Sequence, residues 1–279
     1  MTGKEMRVGR LFSRGNAVIV AADHGEFDGP IPGMVDLPRT LAAAINPEVD
    51  AVLLSPGMIT HCAELFSRRG GPLAVVRLNW STVYAFHWGY HEAATVPAIS
   101  AEDALARGAD LLLVSLTLQT GSEERDARNV EVFCKLLSDG HRLGLPVIGE
   151  VFPARSTELS PDQVHDHVYT GARIAAELGA DLVKTFYTRR FREVTTACPI
   201  PILALGAEKT PTQLQALQLA ESQVRDGARG VVFGRNALQV PDPFSFQAAL
   251  CAVVREGRKA QEAATEFGLS DSQREGEQR

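Results

Sequence analysis

The chain alternates short apolar runs with longer amphipathic stretches along most of its length. Eight of the apolar runs predict strands, and most of them lack a polar face. Continuous apolar runs indicate strands that are buried on both faces, as in a parallel sheet covered by helices. The predicted strands cover residues 16–23, 50–56, 73–79, 110–118, 146–152, 181–186, 201–206 and 230–235.

Helical segments separate these strands and carry start and stop signals. Ser100 precedes one segment, and Ser160 with Pro161 begins a longer one that closes at Gly179. Serine is a favoured N-cap, proline fits the first turn, and glycine ends helices. Further helices are predicted in the long stretch 123–143, before the last strand and, after it, over residues 242–257.

Eight βα units in about 240 residues predict a (β/α)8 TIM barrel, a single domain over residues 1–257. A doubly wound open sheet is the alternative. It would carry a GxGxxG turn after the first strand, whereas this chain has DHGEFDGP there. The sequence from Arg258 onward is polar, and it predicts a flexible C-terminal tail over residues 258–279.

Composition narrows the range of partners. The net charge is −6 and no basic stripe is present, which argues against nucleic acid and anionic membranes. No stretch approaches the length of a membrane-spanning helix, and the first residues lack the apolar core of a signal peptide. The four cysteines are widely spaced, without a zinc or disulfide pattern. We therefore expect a cytoplasmic protein with reduced thiols and a small-molecule substrate.

Active sites of (β/α)8 barrels lie where the strands end. Polar residues at the predicted strand ends are therefore the candidates for chemistry. They are Asp23, Ser55, Asn79, Gln119, Glu150, Lys184, Gly206 and Arg235.

The sixth predicted strand, DLVKTF, places a lysine inside an apolar run. Lys184 shares strand parity with Leu182, so it points into the barrel if Val183 packs against the helices. Loss of hydration favours the neutral amine, which is a nucleophile that forms Schiff bases with carbonyl compounds. The alternative is a structural lysine paired with Glu150 or Asp23.

Two carboxylates accompany this lysine. Asp23 and Glu150 end the first and fifth predicted strands and share parity with apolar neighbours. Each is a candidate for proton transfer or for orienting Lys184, and otherwise a helix cap or an ion-pair partner. His24 has the opposite parity and is interpreted as a supporting or loop residue.

The last two predicted strands end in glycine turns, LGAEKT (205–210) and FGRNAL (233–238). Loops after the seventh and eighth strands of this fold frequently bind phosphate. Ordinary glycine turns with solvated cations are the alternative. The candidate phosphate contacts are Gly206, Ala207, Lys209, Gly234 and Arg235.

An aromatic-rich segment, residues 79–94, follows the third strand and should lie on the active face. His87 and His91 are spaced i, i+4, but the segment lacks the glutamate of a zincin motif and a third ligand. We expect no metal and no cofactor. The segment is interpreted as a lid or as a subunit contact in a homo-oligomer.

Three segments resemble the DeoC/LacD-type class I aldolases, most closely the archaeal-type fructose-bisphosphate aldolases. They are DHGEFDGP, GARIAAELGADLVKTFYT and GARGVVFGRN, and the resemblance extends over residues 16–255. It implies a Schiff base at Lys184 and proton exchange or orientation by Asp23. It also implies that the backbone at Gly206–Ala207 and Gly234–Arg235 grips a substrate phosphate.

The sequence departs from this family at two functional places. The fourth strand, VSLTLQTGS, has neither the tyrosine of the fructose-bisphosphate enzymes nor the histidine of the aminosugar synthases. The seventh turn reads LGA where relatives usually have two glycines. Without that acid, Glu150 or Asp23 is expected to relay the proton, and Tyr187 and His24 are also near.

The sequence therefore predicts an aldehyde-lyase for a phosphorylated ketose or related keto substrate, with dihydroxyacetone phosphate as the donor. One alternative is a lysine-dependent transferase of an acyl or aldehyde group, as in a related thiolase and the aminosugar synthases. The other is a barrel that binds a phosphorylated metabolite without catalysis.

Overall fold

The computed structural model describes residues 2–269. Its strands are β1 (Ala17–Ala21), β2 (Ala51–Leu54), β3 (Leu73–Arg77), β4 (Asn79–Ser81), β5 (Thr95–Pro97), β6 (Leu111–Leu116), β7 (Val147–Val151), β8 (Leu182–Thr185), β9 (Ile202–Leu205) and β10 (Gly230–Phe233). Its helices are α1 (Gly3–Leu11), α2 (Gly25–Asp28), α3 (Leu37–Ala44), α4 (Met58–His61), α5 (Ala63–Ser67), α6 (Ala101–Ala106), α7 (Glu123–Arg142), α8 (Pro161–Glu177), α9 (Phe191–Ala197), α10 (Gln213–Arg225), α11 (Arg235–Leu238), α12 (Pro243–Glu256) and α13 (Ala260–Glu266).

Eight parallel strands close into a barrel in the order β1-β10-β9-β8-β7-β6-β3-β2. This arrangement confirms the predicted (β/α)8 barrel, and each predicted apolar run contains one barrel strand. The remaining strands, β4 and β5, pair antiparallel as a short ribbon outside the barrel. The ribbon joins the two ends of the aromatic-rich segment and holds it above the end of β3.

Alternate strand residues fill the barrel interior with apolar side chains, while the others pack against the helices. The interior cluster includes Ile19, Leu53, Val75, Leu113, Ile148, Leu182 and Leu203. A separate cluster unites the outward-facing residues, such as Val183, with the helix layer. This parity is the one assumed for Lys184 from the sequence.

Helix α1 closes the lower end of the barrel, where the strands begin. Leu11 is fully buried in the interior cluster, and Val8 and Phe12 pack against it. The guanidinium of Arg229 lies 5.5 Å from the centre of the Phe12 ring. The lower half of the barrel is therefore an apolar core sealed by a helix.

Helix ends follow the signals read from the sequence. Ser160 accepts a hydrogen bond from the backbone N–H of Gln163, whose side chain in turn accepts one from the Ser160 N–H. Pro161 occupies the first turn of α8. Ser100 likewise accepts a hydrogen bond from the Asp103 N–H at the start of α6. Satisfied N-caps of this kind stabilise a helix by about 1 kcal/mol.

The flexible tail predicted from Arg258 is corrected for residues 258–269. These residues include α13, which packs against α10 and α12 through buried Ala260, Ala263 and Ala264. The three alanines form a narrow apolar stripe among polar residues, and this pattern is easily mistaken for a polar segment. Residues 270–279 of the predicted tail lie outside the described residues. Over residues 2–269, no helix is both long and apolar enough to cross a lipid bilayer.

Candidate active site

A layer of charged side chains lies above the apolar interior, at the carboxyl end of the barrel. Asp23, Arg77, Glu150 and Lys184 continue the inward-facing positions of their strands and are each at most 6% exposed. Glu150 of β7 and Lys184 of β8 are direct neighbours in the sheet register. Strand parity thus brings one lysine, one arginine and two carboxylates together in a space with little access to water.

The four groups form a continuous ion-pair network. Lys184 Nζ donates a hydrogen bond to Glu150 Oε1. Arg77 Nη2 lies 2.6 Å from Glu150 Oε2, and Arg77 Nε donates to Asp23 Oδ2 at 2.8 Å. Burying ions in this way costs several kcal/mol for each charge unless the pairing is good. A buried charge cluster at the active end of this fold therefore indicates a functional site.

A tyrosine from the aromatic-rich segment completes the network. Tyr84 lies in a short 3-10 helix, Thr82–Tyr84, directly after the ribbon strand β4. Its phenol donates a 2.5 Å hydrogen bond to Glu150 Oε2, and its ring lies 4.8 Å from the Arg77 guanidinium carbon. Glu150 therefore receives hydrogen bonds from Lys184 on one oxygen and from Tyr84 on the other.

The network sets the ionisation of its carboxylates. Burial alone would raise the pKa of Asp23, but the charges of Arg77 and Lys184 outweigh it and lower that pKa to about 2. The pKa of Glu150 is also lowered, since the same two cations overcome its burial. Burial and the Glu150 charge raise the pKa of Tyr84 well above its usual value. Tyr84 is thus a neutral phenol beside an ionised carboxylate.

Aromatic rings form one wall of the cavity above this layer. The ring centre of Tyr84 lies 4.5 Å from that of Phe27 and 4.8 Å from that of Phe152. Phe152 in turn lies 4.8 Å from Phe186, edge to face. These packed rings hold Tyr84 in place and shield the ion pairs from solvent.

The turns after β9 and β10 form the opposite side of the cavity. Arg235 Nη2 donates to the carbonyl of Ala207 at 3.1 Å, while Arg235 Nε is buried without a hydrogen-bond partner in the described structure. Asn236 Nδ2 donates to the carbonyls of Gly206 and Glu208, each at 2.9 Å. These contacts fix the two turns against each other and leave a guanidinium donor for a ligand.

Both turn glycines are required by close packing. A Cβ on Gly206 would lie 2.9 Å from the Phe233 ring, and one on Gly234 would lie 2.2 Å from His24 Cε1. Ala207 has a φ of 51°, in the left-handed region that favours glycine. The LGA turn therefore keeps a glycine-like backbone conformation with an alanine, and such strain is typical of functional turns.

Most of the predicted site residues meet at this cavity. Its lining includes Asp23, Glu150 and Lys184 and four of the five predicted phosphate contacts, Gly206, Ala207, Gly234 and Arg235. Lys209 is exposed and does not line the cavity. His24 does line it, and burial lowers the pKa of its imidazole.

Other strand-end candidates lie elsewhere. Asn79 Nδ2 donates to the backbone carbonyl of Ser115, so it holds two strands together. Ser55 and Gln119 are outside the cavity lining. Tyr187, considered above for proton transfer, points away and donates to Asp226 at 2.6 Å. Its strand parity is opposite to that of Lys184, which explains the outward direction.

The two histidines of the aromatic segment do not converge. His87 Nδ1 lies 3.4 Å from Asp28 Oδ1, and His91 Nδ1 lies 3.5 Å from Glu158 Oε1. Across residues 2–269, no group of three His, Cys, Asp or Glu side chains is arranged to hold a metal ion.

Sequence reasoning missed Arg77 and the role of Tyr84. Arg77 had a readable signal, because it interrupts the apolar run LAVVRLN at the same parity as Leu73 and Val75. No comparable sequence signal marks Tyr84, because its position depends on an irregular loop. The relay by Glu150 or Asp23 stays a prediction, and the structure adds a tyrosine from the segment after β3, which contacts Glu150.

The fold agrees with comparisons to known proteins. The family model for DeoC/LacD family aldolases matches residues 17–240. The chain belongs to this aldolase family. Membership of the family indicates that the protein is a lyase-type enzyme.

Relatives cover nearly the whole chain. An uncharacterized aldolase of Saccharolobus solfataricus is 32% identical over 269 residues, covering 94% of this chain and 98% of the relative. A 3-hydroxy-5-phosphonooxypentane-2,4-dione thiolase of Escherichia coli is 27% identical over 276 residues, covering 97% and 88%.

Solved structures of archaeal fructose 1,6-bisphosphate aldolase are similar in fold. One has a TM-score of 0.76 at 27% identity, with 92% of this chain and 100% of that chain covered. Another, with a TM-score of 0.76, holds its catalytic lysine covalently bound to the carbinolamine intermediate of the substrate. It is 27% identical and covers 91% of this chain and 99% of that chain.

Proposed function

We propose that the protein is a class I aldolase that cleaves or forms a C–C bond in a phosphorylated ketose or related keto compound through a Schiff base at Lys184. The observation that carries the proposal is the position of Lys184. Its amine lies at the carboxyl end of the barrel, faces the cavity and donates to Glu150. Dihydroxyacetone phosphate is the proposed donor.

Lys184 and Glu150 supply the first proton transfers. Movement of a proton from Nζ to Glu150 Oε1 frees the nitrogen lone pair, which attacks the ketone carbon and gives a carbinolamine. Glu150 then returns the proton to the carbinolamine hydroxyl, which leaves as water, and an iminium forms. The bond between the carbons α and β to the iminium then breaks, its electrons move into an enamine, and the β-hydroxyl gives up its proton through Tyr84 to Glu150 as it becomes the aldehyde carbonyl. The iminium is the electron sink, so the mechanism uses no metal ion.

Arg77 and Asp23 hold this pair in place. Arg77 bridges Asp23 and Glu150 with contacts of 2.8 and 2.6 Å, which fixes the Glu150 carboxylate beside Lys184. The positive charge of Arg77 also stabilises Glu150 as a carboxylate before it takes the Lys184 proton and after it has returned that proton. Prearranged charges of this kind need no reorganisation during the reaction.

The turns after β9 and β10 are the proposed phosphate site. Arg235 offers a buried Nε donor with no partner in the described structure, and Gly206 and Gly234 allow a close backbone approach. Phosphate binding after the seventh and eighth strands is common in (β/α)8 enzymes. A phosphate held there would position the ketone carbon toward Lys184 in the neighbouring strand β8.

Borohydride trapping tests the proposal. Incubation with dihydroxyacetone phosphate and borohydride should add the mass of the reduced adduct to the chain, and peptide mapping should locate it at Lys184. Lys184→Arg keeps a cation opposite Glu150 but cannot form an imine, so this variant should fold and remain unlabelled. An adduct on Lys184→Arg, or no adduct on the unmodified protein, would exclude the Schiff base.

A second candidate is lysine-dependent acyl transfer, favoured by the likeness to the thiolase of Escherichia coli. In that case a phosphorylated diketone would lose an acyl group to coenzyme A. Formation of acetyl-CoA from the phosphorylated diketone, without release of an aldehyde, would support the thiolase reaction over the aldolase reaction.

A further inference from the structure

The two ends of the cavity differ in chemistry. The turns after β9 and β10 carry the Arg235 donor, and Lys184 in β8 follows them in the strand order β10-β9-β8-β7. Beyond Lys184, the wall consists of Phe186, Phe152 and Tyr84, packed ring against ring. A substrate with its phosphate at Arg235 and its ketone at Lys184 would therefore extend toward the aromatic wall.

The aromatic end offers hydrogen-bonding groups. Ser156 and Thr157, from the loop after β7, line the cavity beside Phe152. Arg77 Nη1 is buried and has no hydrogen-bond partner in the described part of the chain. A hydroxyl or carbonyl oxygen can accept from this nitrogen, and sugar hydroxyls pair well with Ser and Thr.

The charges of the lining do not favour a second phosphate at that end. Among the residues described, Arg77 is already shared between two carboxylates and Lys184 is paired with Glu150. The cavity lining also includes Asp28, whose carboxylate lies 3.4 Å from Nδ1 of His87 in the aromatic segment. A phosphate group carries about −1.5 to −2 charges at neutral pH. Placing it against these carboxylates and the rings would cost desolvation and repulsion without a compensating cation.

A nearby arginine does not change this picture. Arg155 precedes Ser156 in the loop after β7, but it is exposed and lies outside the cavity lining. Its Nη2 atom lies 3.7 Å from the position that a Cβ on Gly121 would occupy. Its side chain lines a separate pocket, together with Val83 and Tyr90 of the aromatic segment.

We propose that the substrate carries a single phosphate, on the donor half, and that the acceptor half is a short uncharged hydroxyaldehyde or aldehyde. The natural ketose class would then be a ketose 1-phosphate rather than a ketose bisphosphate. The inference rests on the proposed aldolase function and narrows its substrate. Phe152, Phe186 and Ser156 would be the residues that determine acceptor specificity.

A pair of substrates tests the inference directly. Fructose 1-phosphate and fructose 1,6-bisphosphate share the donor half and differ only in the phosphate on the acceptor half. We expect kcat/KM for cleavage to be at least about tenfold higher with fructose 1-phosphate, a difference of about 1.4 kcal/mol in transition-state binding. An equal or higher kcat/KM with the bisphosphate would overturn the inference.

A charge introduced at the aromatic end provides the matched test. Ser156→Lys places a cation beside the expected position of the second phosphate, and Ser156→Gln adds similar polar bulk without charge. We expect Ser156→Lys to narrow the preference for fructose 1-phosphate by about fivefold or more, while Ser156→Gln, which lacks the charge, changes the ratio of the two kcat/KM values much less. An equal change in both variants would show that bulk, not charge, sets the preference and would overturn the electrostatic argument.

Trapping with dihydroxyacetone phosphate separates the two proposals. An adduct at Lys184 together with a preference for the bisphosphate would retain the aldolase function and reject the single-phosphate inference. Absence of an adduct with dihydroxyacetone phosphate would reject the aldolase function itself, whatever the cleavage rates of the two ketoses.

Discussion

Tyr84 donates a 2.5 Å hydrogen bond to Glu150, although one residue lies in a loop and the other in a barrel strand. Because Glu150 also accepts from Lys184, the amine and the phenol donate to one carboxylate, which can take a proton from either of them. In bond cleavage, Tyr84 can accept the proton of the substrate hydroxyl while passing its own proton to Glu150. No phenolate is then formed, which agrees with the raised pKa of Tyr84.

Tyr84→Phe should therefore separate cleavage from imine formation. Only the Oη atom is lost, and the ring can still pack against Phe27 and Phe152. We expect kcat for cleavage to fall by about 10²–10⁴, the usual range for a general acid or base. Trapping at Lys184 should persist and the melting temperature should change little. If kcat stays near that of the unmodified protein, Tyr84 has only a packing role.

Glu150→Gln tests the shared carboxylate. The amide keeps the shape of the side chain but cannot take the Lys184 proton. Both trapping and cleavage should slow, with kcat reduced by about 10²–10⁴. Rates of borohydride trapping, measured beside steady-state kcat, distinguish this result from that of Tyr84→Phe. An unchanged kcat would move the relay to Asp23, for which Asp23→Asn is the corresponding variant.

Arg77 should be required for stability as well as for activity. Arg77→Met leaves Asp23 and Glu150 with one cation fewer in a buried site, and removing one partner from such a network costs about 3–5 kcal/mol. Arg77→Lys restores the charge without the forked geometry and should recover part of this loss. Urea unfolding measures both. A loss below about 1 kcal/mol for Arg77→Met would mean that the two carboxylates are not held by Arg77.

Glu26 predicts a pH dependence of stability. Burial raises its pKa to about 8, and Asp23 and Glu150 add to the effect against the opposing charge of Arg77. Since the unfolded chain ionises Glu26 near pH 4.5 and the folded chain only near pH 8, stability should fall as pH rises between these values. Glu26→Gln removes this titration.

The variant is therefore expected to gain on the order of 2 kcal/mol over the unmodified protein at pH 9, with little difference at pH 4. Melting temperatures at the two pH values provide the measurement. A constant difference across this range would contradict the assignment of the titration to Glu26.

Arg235→Ala should weaken substrate binding more than turnover. A phosphate contact that is equal in the ground and transition states changes KM and leaves kcat nearly constant. We expect KM to rise about tenfold or more, with inorganic phosphate becoming a weaker competitor. Arg229→Ala is the control, because Arg229 lies at the opposite end of the barrel beside Phe12. Equal effects of the two substitutions would place the phosphate elsewhere.

The barrel was readable from the sequence because its strands are almost entirely apolar and the segments between them have clear helix caps. The same regularity gave the inward direction of Lys184, since parity within a strand fixes the face of each side chain. Asp23 and Glu150 could be placed beside it for the same reason. Arg77 obeyed the same rule, but Asn79 two positions later was taken as the polar strand end.

The position of Tyr84, in the segment after β3, could not be predicted from strand parity. Tyr84 reaches Glu150 only because β4 and β5 pair and a 3-10 helix turns the chain back over the barrel. No repeating pattern encodes that path, and the aromatic composition of the segment indicated only a lid or a contact. Lys209 shows the converse, since a cation near a glycine turn in sequence is exposed outside the cavity in the structure.

The ribbon of β4 and β5 has a consequence for how this family can diversify. Because the two strands hold both ends of residues 82–94 together, this excursion leaves the barrel and returns to it at one place. The paired strands β4 and β5 would allow residues 82–94 to be exchanged as a unit, while the barrel strands keep their register. Transplanting residues 79–97 into a relative that lacks them would therefore transfer the Tyr84 phenol in one step, leaving the lysine strand of the recipient untouched.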